Sequence, residues 1–377
     1  MVALARKSLL HGWRRFLPAT LAVAFASLML LVQSALLLGI FGSASIYIRT
    51  SRAQLWVGYP GTQTVELGRP VAASAALRML LDPDIERVEA FDWLDGDWRA
   101  PATRGAVSVF ISGIDPRPDG LMFAKALSAE LRAALRSPDA VVVDRADLPK
   151  LGTAIGETAV INGHTVRVAG VASGLRALGG VNVITSLATA RRLSSDKQDT
   201  DHSAYYVAAL RPGTSADTVA ARVAPRSGHA RYAVWTADDF ATRAASYWFF
   251  ETGAGAGFVL LGGIIFISGA LIAAQSLAAA VAGEIPEYAT LRALGVGRGE
   301  LRKVVLEQAC WVAGAGLALA MALMAIVVIL ARTQDVPVDL NAATAAVCAL
   351  AVTGIVIISG LVAASTLGRS DPAMLLR

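Results

Sequence analysis

Charged residues are scarce in this sequence of 377 residues. They make up 17% of it, against roughly 25% in a typical soluble domain, and hydrophobic residues make up 55%. The deficit is concentrated in four stretches that contain no charged residue: 16–48, 252–283, 308–331 and 340–368. Since about 20 apolar residues suffice to cross the hydrocarbon core of a bilayer, the sequence predicts four transmembrane helices.

Cysteine and histidine are also rare. The two cysteines, Cys310 and Cys348, exclude a disulfide-rich scaffold and a cysteine-based zinc site, and the four histidines lack metal-ligand spacing. No glycine is followed by lysine, so the P-loop motif that binds nucleotide phosphates is missing. The four neutral stretches hold no ionisable group of the kind that intramembrane enzymes and ion-coupled carriers use. We therefore expect no catalytic residue, no metal site and no cofactor in this chain.

The distribution of lysine and arginine predicts the orientation in the membrane. Residues 1–15 carry four, residues 284–307 carry four and residues 369–377 carry two, whereas the short loop 332–339 carries one. Short loops rich in lysine and arginine stay in the cytoplasm. We expect both termini and segment 284–307 to be cytoplasmic, and residues 49–251 to lie across the membrane. A formal net charge of +5 is too small to indicate nucleic acid as a partner.

Residues 49–251 carry charges throughout and predict a folded domain inserted between the first and second membrane helices. The clearest local signal is Asn162-Gly163 between two alternating segments, which predicts a hairpin over 158–168 with a type I′ turn. Further strands are predicted at 64–67, 107–112, 141–143 and 205–210. Helices are predicted at 74–81, 121–136, 187–193 and 215–223. The fold class is therefore membrane α-helical, with four transmembrane helices and an α+β extracytoplasmic domain.

Segment 284–307, called the coupling segment below, contains the most informative motif. Its central part reads Glu287-Tyr288-Ala289-Thr290-Leu291-Arg292-Ala293-Leu294-Gly295. Tyr288, Leu291 and Leu294 can share one side of a short helix, and Gly295 is suited to end it. Such a helix between two membrane spans can act as a lever, or it can rest on lipid headgroups.

Two glycines near the start of the second predicted span have the spacing of a helix-packing motif. Gly253 and Gly257 form a small-xxx-small pattern, in which small residues let two helices approach closely. The alternative is that these glycines face lipid. We expect them to pack against another helix.

The sequence resembles the MacB/FtsX/LolCE-type (type VII) permeases of ABC systems over nearly its whole length. Its Glu287–Gly295 motif is most similar to that of the DevC-type exporter permeases. The basic N-terminal helix leading into Pro18 and the hairpin followed by Val168-Ala169-Gly170-Val171 also resemble this family. The tail 368–377 resembles its Arg-x-x-Pro-Ala-x-x-x-Arg ending.

The resemblance implies a homodimeric permease in the inner membrane of a bacterial cell. Each copy would contact an ABC ATPase subunit, which binds the ATP and Mg, so the chain itself is no enzyme. Movement would reach the periplasmic domain and drive export of a lipidic or amphipathic substrate, with a membrane-fusion adaptor and an outer-membrane channel as partners. The residues implied in the ATPase contact are Glu287, Tyr288, Leu291, Arg292, Leu294 and Gly295.

Other functions fit the same features. An FtsX-like permease regulates a cell-wall hydrolase and exports nothing, and a LolCE-like subunit extracts lipoproteins. From another class, the chain could be a membrane receptor or anchor whose inserted domain binds a ligand. A neighbouring gene for an adaptor, a hydrolase or a periplasmic carrier would separate the first readings, and absence of any neighbouring ATPase gene would favour the receptor.

Overall fold

The structure is a computed structural model and describes residues 13–101, 105–194, 201–225, 231–284, 287, 290, 294–333, 336 and 338–367. The chain forms two compact units. One consists of Met1–Gly39 with Gly255–Arg377 and is called the helical unit below. The other, Ile40–Ala254, is the inserted domain.

The regular elements of the described residues are as follows. The α-helices are α1 (Trp13–Ser43), α2 (Ile46–Arg49), α3 (Ser74–Leu80), α4 (Ala129–Ala134), α5 (Leu148–Leu151), α6 (Leu187–Leu193), α7 (Ala216–Val223), α8 (Ala237–Ser246), α9 (Ala254–Ala282), α10 (Arg298–Thr333) and α11 (Ala342–Leu367). The strands are β1 (Leu55–Gly58), β2 (Val71–Ala72), β3 (Ile85–Arg99), β4 (Val107–Ile114), β5 (Ala140–Asp144), β6 (Thr158–Ile161), β7 (His164–Ala172), β8 (Val181–Ser186), β9 (His202–Ser203), β10 (Tyr205–Leu210) and β11 (Ala233–Thr236).

Four helices among the described residues, α1, α9, α10 and α11, are long and apolar enough to cross a membrane, which confirms the predicted fold class. Their ends do not coincide with the ends of the neutral stretches. The largest difference is at α10, which begins at Arg298 and not at residue 308. Charged residues mark where the hydrocarbon core ends, but a helix continues beyond it as long as its backbone hydrogen bonds form.

Small residues let the membrane helices approach closely at two points in the helical unit. A Cβ on Gly269 of α9 would lie 2.6 Å from the Cβ of Ala26 in α1, and one on Gly316 of α10 would lie 2.7 Å from Val23 Cγ1. Such contacts bring helix backbones together in a bilayer, where dispersion forces dominate association. The core around them contains mainly alanine and valine from all four helices.

Gly253 and Gly257, predicted to share a helix-packing face, do not do so within one chain. Gly253 precedes α9, in a left-handed conformation with φ of +75°. A Cβ on Gly257 would meet no heavy atom within 4 Å in the part of the chain that the structure describes. The prediction failed because the helix starts one residue after Gly253, so the two glycines are not a turn apart on one helix. A contact of Gly257 with a second copy stays a prediction.

The inserted domain is built on a nine-stranded mixed sheet with the order β11-β1-β10-β3-β4-β8-β5-β7-β6. Strand β6 also pairs with β3, so the six strands from β3 to β6 close into a barrel. Strand β3 belongs to both halves of the sheet, because its first part pairs with β10 and its second part with β4. Closure leaves the barrel without a free edge.

The exchange of partners along β3 occurs between Phe91 and Asp92. Phe91 pairs with Tyr205 of β10, and Asp92 pairs with Gly113 of β4. The buried Asp92 carboxylate accepts hydrogen bonds from Arg191 Nε and from the backbone N–H of Ala204, both at 3.1 Å. These bonds satisfy a charge that would otherwise be costly to bury.

Two predicted elements of the inserted domain are wrong. Residues 64–67 contain a 3₁₀-helix, Val65–Leu67, where a strand was expected; Tyr205 Oη donates to the carbonyl of Val65 at 2.9 Å. The helix predicted over 121–136 is reduced to α4. Its first part turns away because Lys125 N–H donates to the Thr50 carbonyl at 3.0 Å, so tertiary bonds replace helical ones.

The hairpin prediction is confirmed. Strands β6 and β7 pair as an antiparallel hairpin, and the turn residues Asn162 and Gly163 have φ of 50° and 84°. Positive φ at both central residues is the mark of a type I′ turn. The Asn162 side chain also donates to the Leu193 carbonyl at 2.9 Å, which connects the turn to the end of α6.

Candidate functional site

The coupling segment joins the ends of two long membrane helices. After α9 ends, the N–H groups of Gly283 and Glu284 donate to carbonyls of its last turn at 3.1 and 3.0 Å. Within the segment, the carbonyl of Gly297 accepts hydrogen bonds from the N–H groups of Glu300 and Leu301 at 3.1 and 3.3 Å, at the first turn of α10. The last ten residues of the segment therefore belong to α10, and both helix termini are well formed.

Arg15 of α1 reaches the beginning of the coupling segment. Its Nη1 donates to the carbonyl of Gly283 at 3.3 Å and lies 3.6 Å from Oε1 of Glu287. A cation is favourable at a helix C-terminus, where carbonyl groups carry partial negative charge. Both side chains of the ion pair are more than half exposed, so the pair itself contributes little free energy. Its importance is geometric, because it connects the first helix to the segment.

A buried polar pair connects the two ends of the segment to each other. Gln308 Nε2 of α10 donates to Oε2 of Glu284 at 2.9 Å, and both residues are buried. A carboxylate in such a place needs hydrogen-bond donors to offset its lost hydration. Sequence patterns do not predict this pair, because Glu284 and Gln308 are 24 positions apart and no local periodicity relates them.

The predicted contact residues fall partly within the described residues. Glu287 is helical and exposed, and Leu294 is 77% exposed at a turn in which its N–H donates to the Thr290 carbonyl at 3.1 Å. Gly295 has φ of +93°, the left-handed conformation expected of a residue that ends a helix. Tyr288, Leu291 and Arg292 lie outside the described residues. Contact of these six residues with an ATPase stays a prediction.

The carboxyl groups with perturbed ionisation lie in the inserted domain. Burial raises the pKa of Glu89, whose Oε2 accepts from the Leu121 N–H at 2.7 Å. Burial also raises the pKa of Glu66, which accepts from the Thr64 hydroxyl. Glu89 thereby attaches the loop at Leu121 to β3, whereas the Glu66 bond is local to its own loop. Among the described residues, no group of three or more His, Cys, Asp or Glu is placed to hold a metal ion.

Two family models match the chain. The model described as MacB-like periplasmic core domain matches residues 17–226, which is more than half of the sequence. The model described as FtsX-like permease C-terminal matches residues 258–372. The first match covers α1 and most of the inserted domain, and the second covers the last three helices, whereas the structure places α1 in one unit with those helices.

Solved structures of two related domains are similar to the chain at low identity. The periplasmic region of MacB from Actinobacillus actinomycetemcomitans has 12% identity and a TM-score of 0.37, and the match covers 52% of this chain and 94% of that one. The extracellular domain of the noncanonic ABC-type transporter YknZ from Gram-positive bacteria has 12% identity and a TM-score of 0.34, with 48% and 99% covered. No curated protein matches the chain.

Proposed function

Because the chain belongs to the MacB/FtsX-type permeases of ABC systems, we propose that it transmits movement from a separate ATPase to its inserted domain. Permeases of this family are generally not themselves catalytic and work with an ABC ATPase. In this proposal ATP and Mg²⁺ bind in the ATPase subunit, and two copies of the chain form the membrane part of the complex.

The observation that carries the proposal is the anchoring of the coupling segment to three helices. Arg15 connects it to α1, Gly283 continues it from α9, and the pair of Glu284 with Gln308 connects it to α10. A force on the segment therefore acts on three membrane helices together. A segment that only rested on lipid headgroups would need neither the buried pair nor the contact with Arg15.

The inserted domain is suited to receive movement where the chain enters and leaves it. Phe41, near the end of α1, packs against Phe249, which precedes α9, with ring centroids 5.2 Å apart. Tyr47 follows as part of α2, and its hydroxyl accepts a hydrogen bond from Trp93 Nε1 of β3 at 3.1 Å. The segments through which the chain enters and leaves the inserted domain thus pack against each other, and the entering segment is hydrogen-bonded to β3.

The remaining parts of the proposal follow from the resemblance to DevC-type exporters and from the charge distribution. The termini and the coupling segment face the cytoplasm, and the inserted domain faces the periplasm of a bacterial inner membrane. A membrane-fusion adaptor contacts the inserted domain, and an outer-membrane channel completes the path. The substrate is lipidic or amphipathic and meets the complex at the outer surface of the bilayer.

The test is to introduce a charge into the proposed ATPase contact. Leu291→Asp and, separately, Leu294→Asp are expected to abolish co-purification of the ATPase in mild detergent, because a carboxylate cannot be buried without a partner. Leu294 is exposed in one chain, so its replacement does not disturb the fold. Leu81→Asp is the matched control, since Leu81 of the inserted domain is 83% exposed.

Membrane insertion of all three variants is expected to be normal, and the purified chain without partner is expected to hydrolyse no ATP. Unchanged co-purification of the ATPase with both coupling-segment variants would refute the contact. Proteins retained by the wild-type complex separate the alternatives: an adaptor supports export, whereas a cell-wall hydrolase in its place would assign the regulatory function.

A further inference from the structure

An open cleft of about 1270 Å³ lies in the inserted domain, next to the point where the chain enters it. Its first lining residue is Ile48, and only residues 44–47 separate this residue from the end of α1. Ile48, Leu121 and Leu210 line the cleft but are buried, so the half-buried Ala209, Ala216 and Ala237 contribute its apolar surface. The cleft is therefore close in sequence to the first membrane helix.

Three exposed cations line the same cleft and are held near each other by the backbone. Lys125 Nζ donates to the carbonyl of Arg49 at 2.8 Å, and Lys125 N–H donates to the Thr50 carbonyl at 3.0 Å. The N–H of Arg52 donates to the Leu121 carbonyl at 3.0 Å. The segments that carry Arg49, Arg52 and Lys125 are therefore fixed side by side.

The cleft also has acidic residues, but one of them is already neutralised. Asp119 forms an ion pair with Arg87 at 2.7 Å, and Arg87 also donates to the Asp119 carbonyl. Glu86 and Asp238 are exposed at the cleft. Apart from the pair of Arg87 with Asp119, three cations and two acids line the cleft. The three cations are Arg49, Arg52 and Lys125, on the two neighbouring segments described above.

We propose that this cleft binds the phosphate-bearing headgroup of an anionic amphiphile. Arg49, Arg52 and Lys125 contact the headgroup, and the apolar surface of the half-buried alanines that line the cleft accepts the first part of its hydrocarbon chain. Arginine is well suited to this, since its planar guanidinium forms paired hydrogen bonds with phosphate. The inference rests on the proposed function, for which it specifies the chemical class of the substrate.

The test measures binding to the full chain in nanodiscs of neutral phosphatidylcholine, with empty discs as background. Three soluble probes are compared by calorimetry: dihexanoyl phosphatidylglycerol, dihexanoyl phosphatidylcholine and inorganic phosphate. We expect the anionic lipid to bind about ten-fold more tightly than either other probe, since only it satisfies both the cations and the apolar surface. Equal binding of inorganic phosphate would overturn the assignment of an amphiphile.

The variant Arg49→Gln/Arg52→Gln/Lys125→Gln is expected to lose about ten-fold in affinity for the anionic lipid. Arg49→Gln/Arg52→Gln keeps the Lys125 hydrogen bond to the backbone and guards against a loss that is due to misfolding. The matched control removes two arginines and one lysine that are exposed outside the cleft, Arg99→Gln/Arg145→Gln/Lys150→Gln, and should bind like wild type.

Affinity that is unchanged in the triple and double variants would overturn the cleft as the binding site, as would an equal loss in the control. ATPase co-purification is measured on the same preparations. If it is intact while lipid binding is absent from the wild-type chain, the headgroup inference fails and the proposed coupling function stands. If the ATPase is absent as well, the proposed function itself has failed.

Discussion

At the scale of single residues, ion pairs of the inserted domain connect positions that are far apart in sequence. Arg222 of α7 donates to both carboxylate oxygens of Asp82, at 2.6 and 2.7 Å, and to Asp84. The hydrogen bonds from Arg222 lower the pKa of Asp82 below its ordinary value of 3.8. Asp82 is thus a paired carboxylate, and its contribution to stability depends on its ionisation.

Replacing Asp82 by Asn should reduce the free energy of unfolding by about 1 kcal/mol at neutral pH, since a bidentate bond to a half-exposed arginine is lost. A carboxyl group with a lowered folded-state pKa stabilises the fold above its unfolded pKa, and this contribution is lost as pH falls through the folded pKa. The difference between wild type and Asp82→Asn should therefore shrink below pH 3.8.

The measurement is chemical denaturation of the full chain in detergent at neutral pH and at a pH below 3.8. Asp201→Asn serves as the control, because Asp201 is exposed, and should leave stability unchanged at both values. A difference between wild type and Asp82→Asn that stays constant across this range would contradict the assigned role of the ion pair.

At the scale of secondary-structure elements, the barrel half of the inserted domain depends on turns with the correct geometry. The turn Asn162-Gly163 sets the register of β6 and β7, and β6 closes the barrel through the pairs of Trp98 with Ile161 and Arg99 with Val160. Trp98 is fully buried in the barrel core, and its Nε1 donates to the Leu151 carbonyl at 3.0 Å. An altered turn would displace this closing strand.

Gly163→Ala should lower the free energy of unfolding by about 1–2 kcal/mol, because alanine is strained at a φ of +84°. A Cβ at this position would meet no atom within 4 Å in the described residues, so the effect comes from backbone strain alone. Gly105→Ala is the matched control: that position is equally open and has no positive φ. Equal stability of the two variants would show that the turn is not under this constraint.

At the scale of the whole molecule, the orientation in the membrane decides on which side the coupling segment and the inserted domain each lie. The lysine and arginine distribution predicts that the coupling segment and the inserted domain lie on opposite sides. The proposed function requires this arrangement, because it places the ATPase in the cytoplasm and the release of substrate on the other side.

Cysteine labelling tests this orientation. In a background with Cys310→Ser and Cys348→Ser, a membrane-impermeant maleimide should label Glu287→Cys only in inverted vesicles and Asp201→Cys only in intact spheroplasts. Both positions are exposed, so the reagent can reach them. Labelling of both positions from the same side would exclude transmission across the membrane and end the proposed function.

The amino-acid sequence by itself determined the four membrane helices, the inserted domain and the Asn162-Gly163 hairpin. These features depend on local properties: the absence of charge over a span and the backbone preferences of two adjacent residues. In the candidate site, the left-handed conformation expected of Gly295 is present, whereas the contact with an ATPase stays a prediction.

Only the tertiary structure decided which residues meet. The closure of the barrel by β6 on β3, the contact of Arg15 with Gly283 and the burial of Glu284 against Gln308 join positions far apart in sequence. Tertiary contacts also explain why α4 is shorter than predicted: before it, the hydrogen bond from Lys125 N–H to the Thr50 carbonyl outweighs helix propensity. Propensity and hydropathy describe a residue and its neighbours in sequence, whereas these contacts depend on the packing of distant segments.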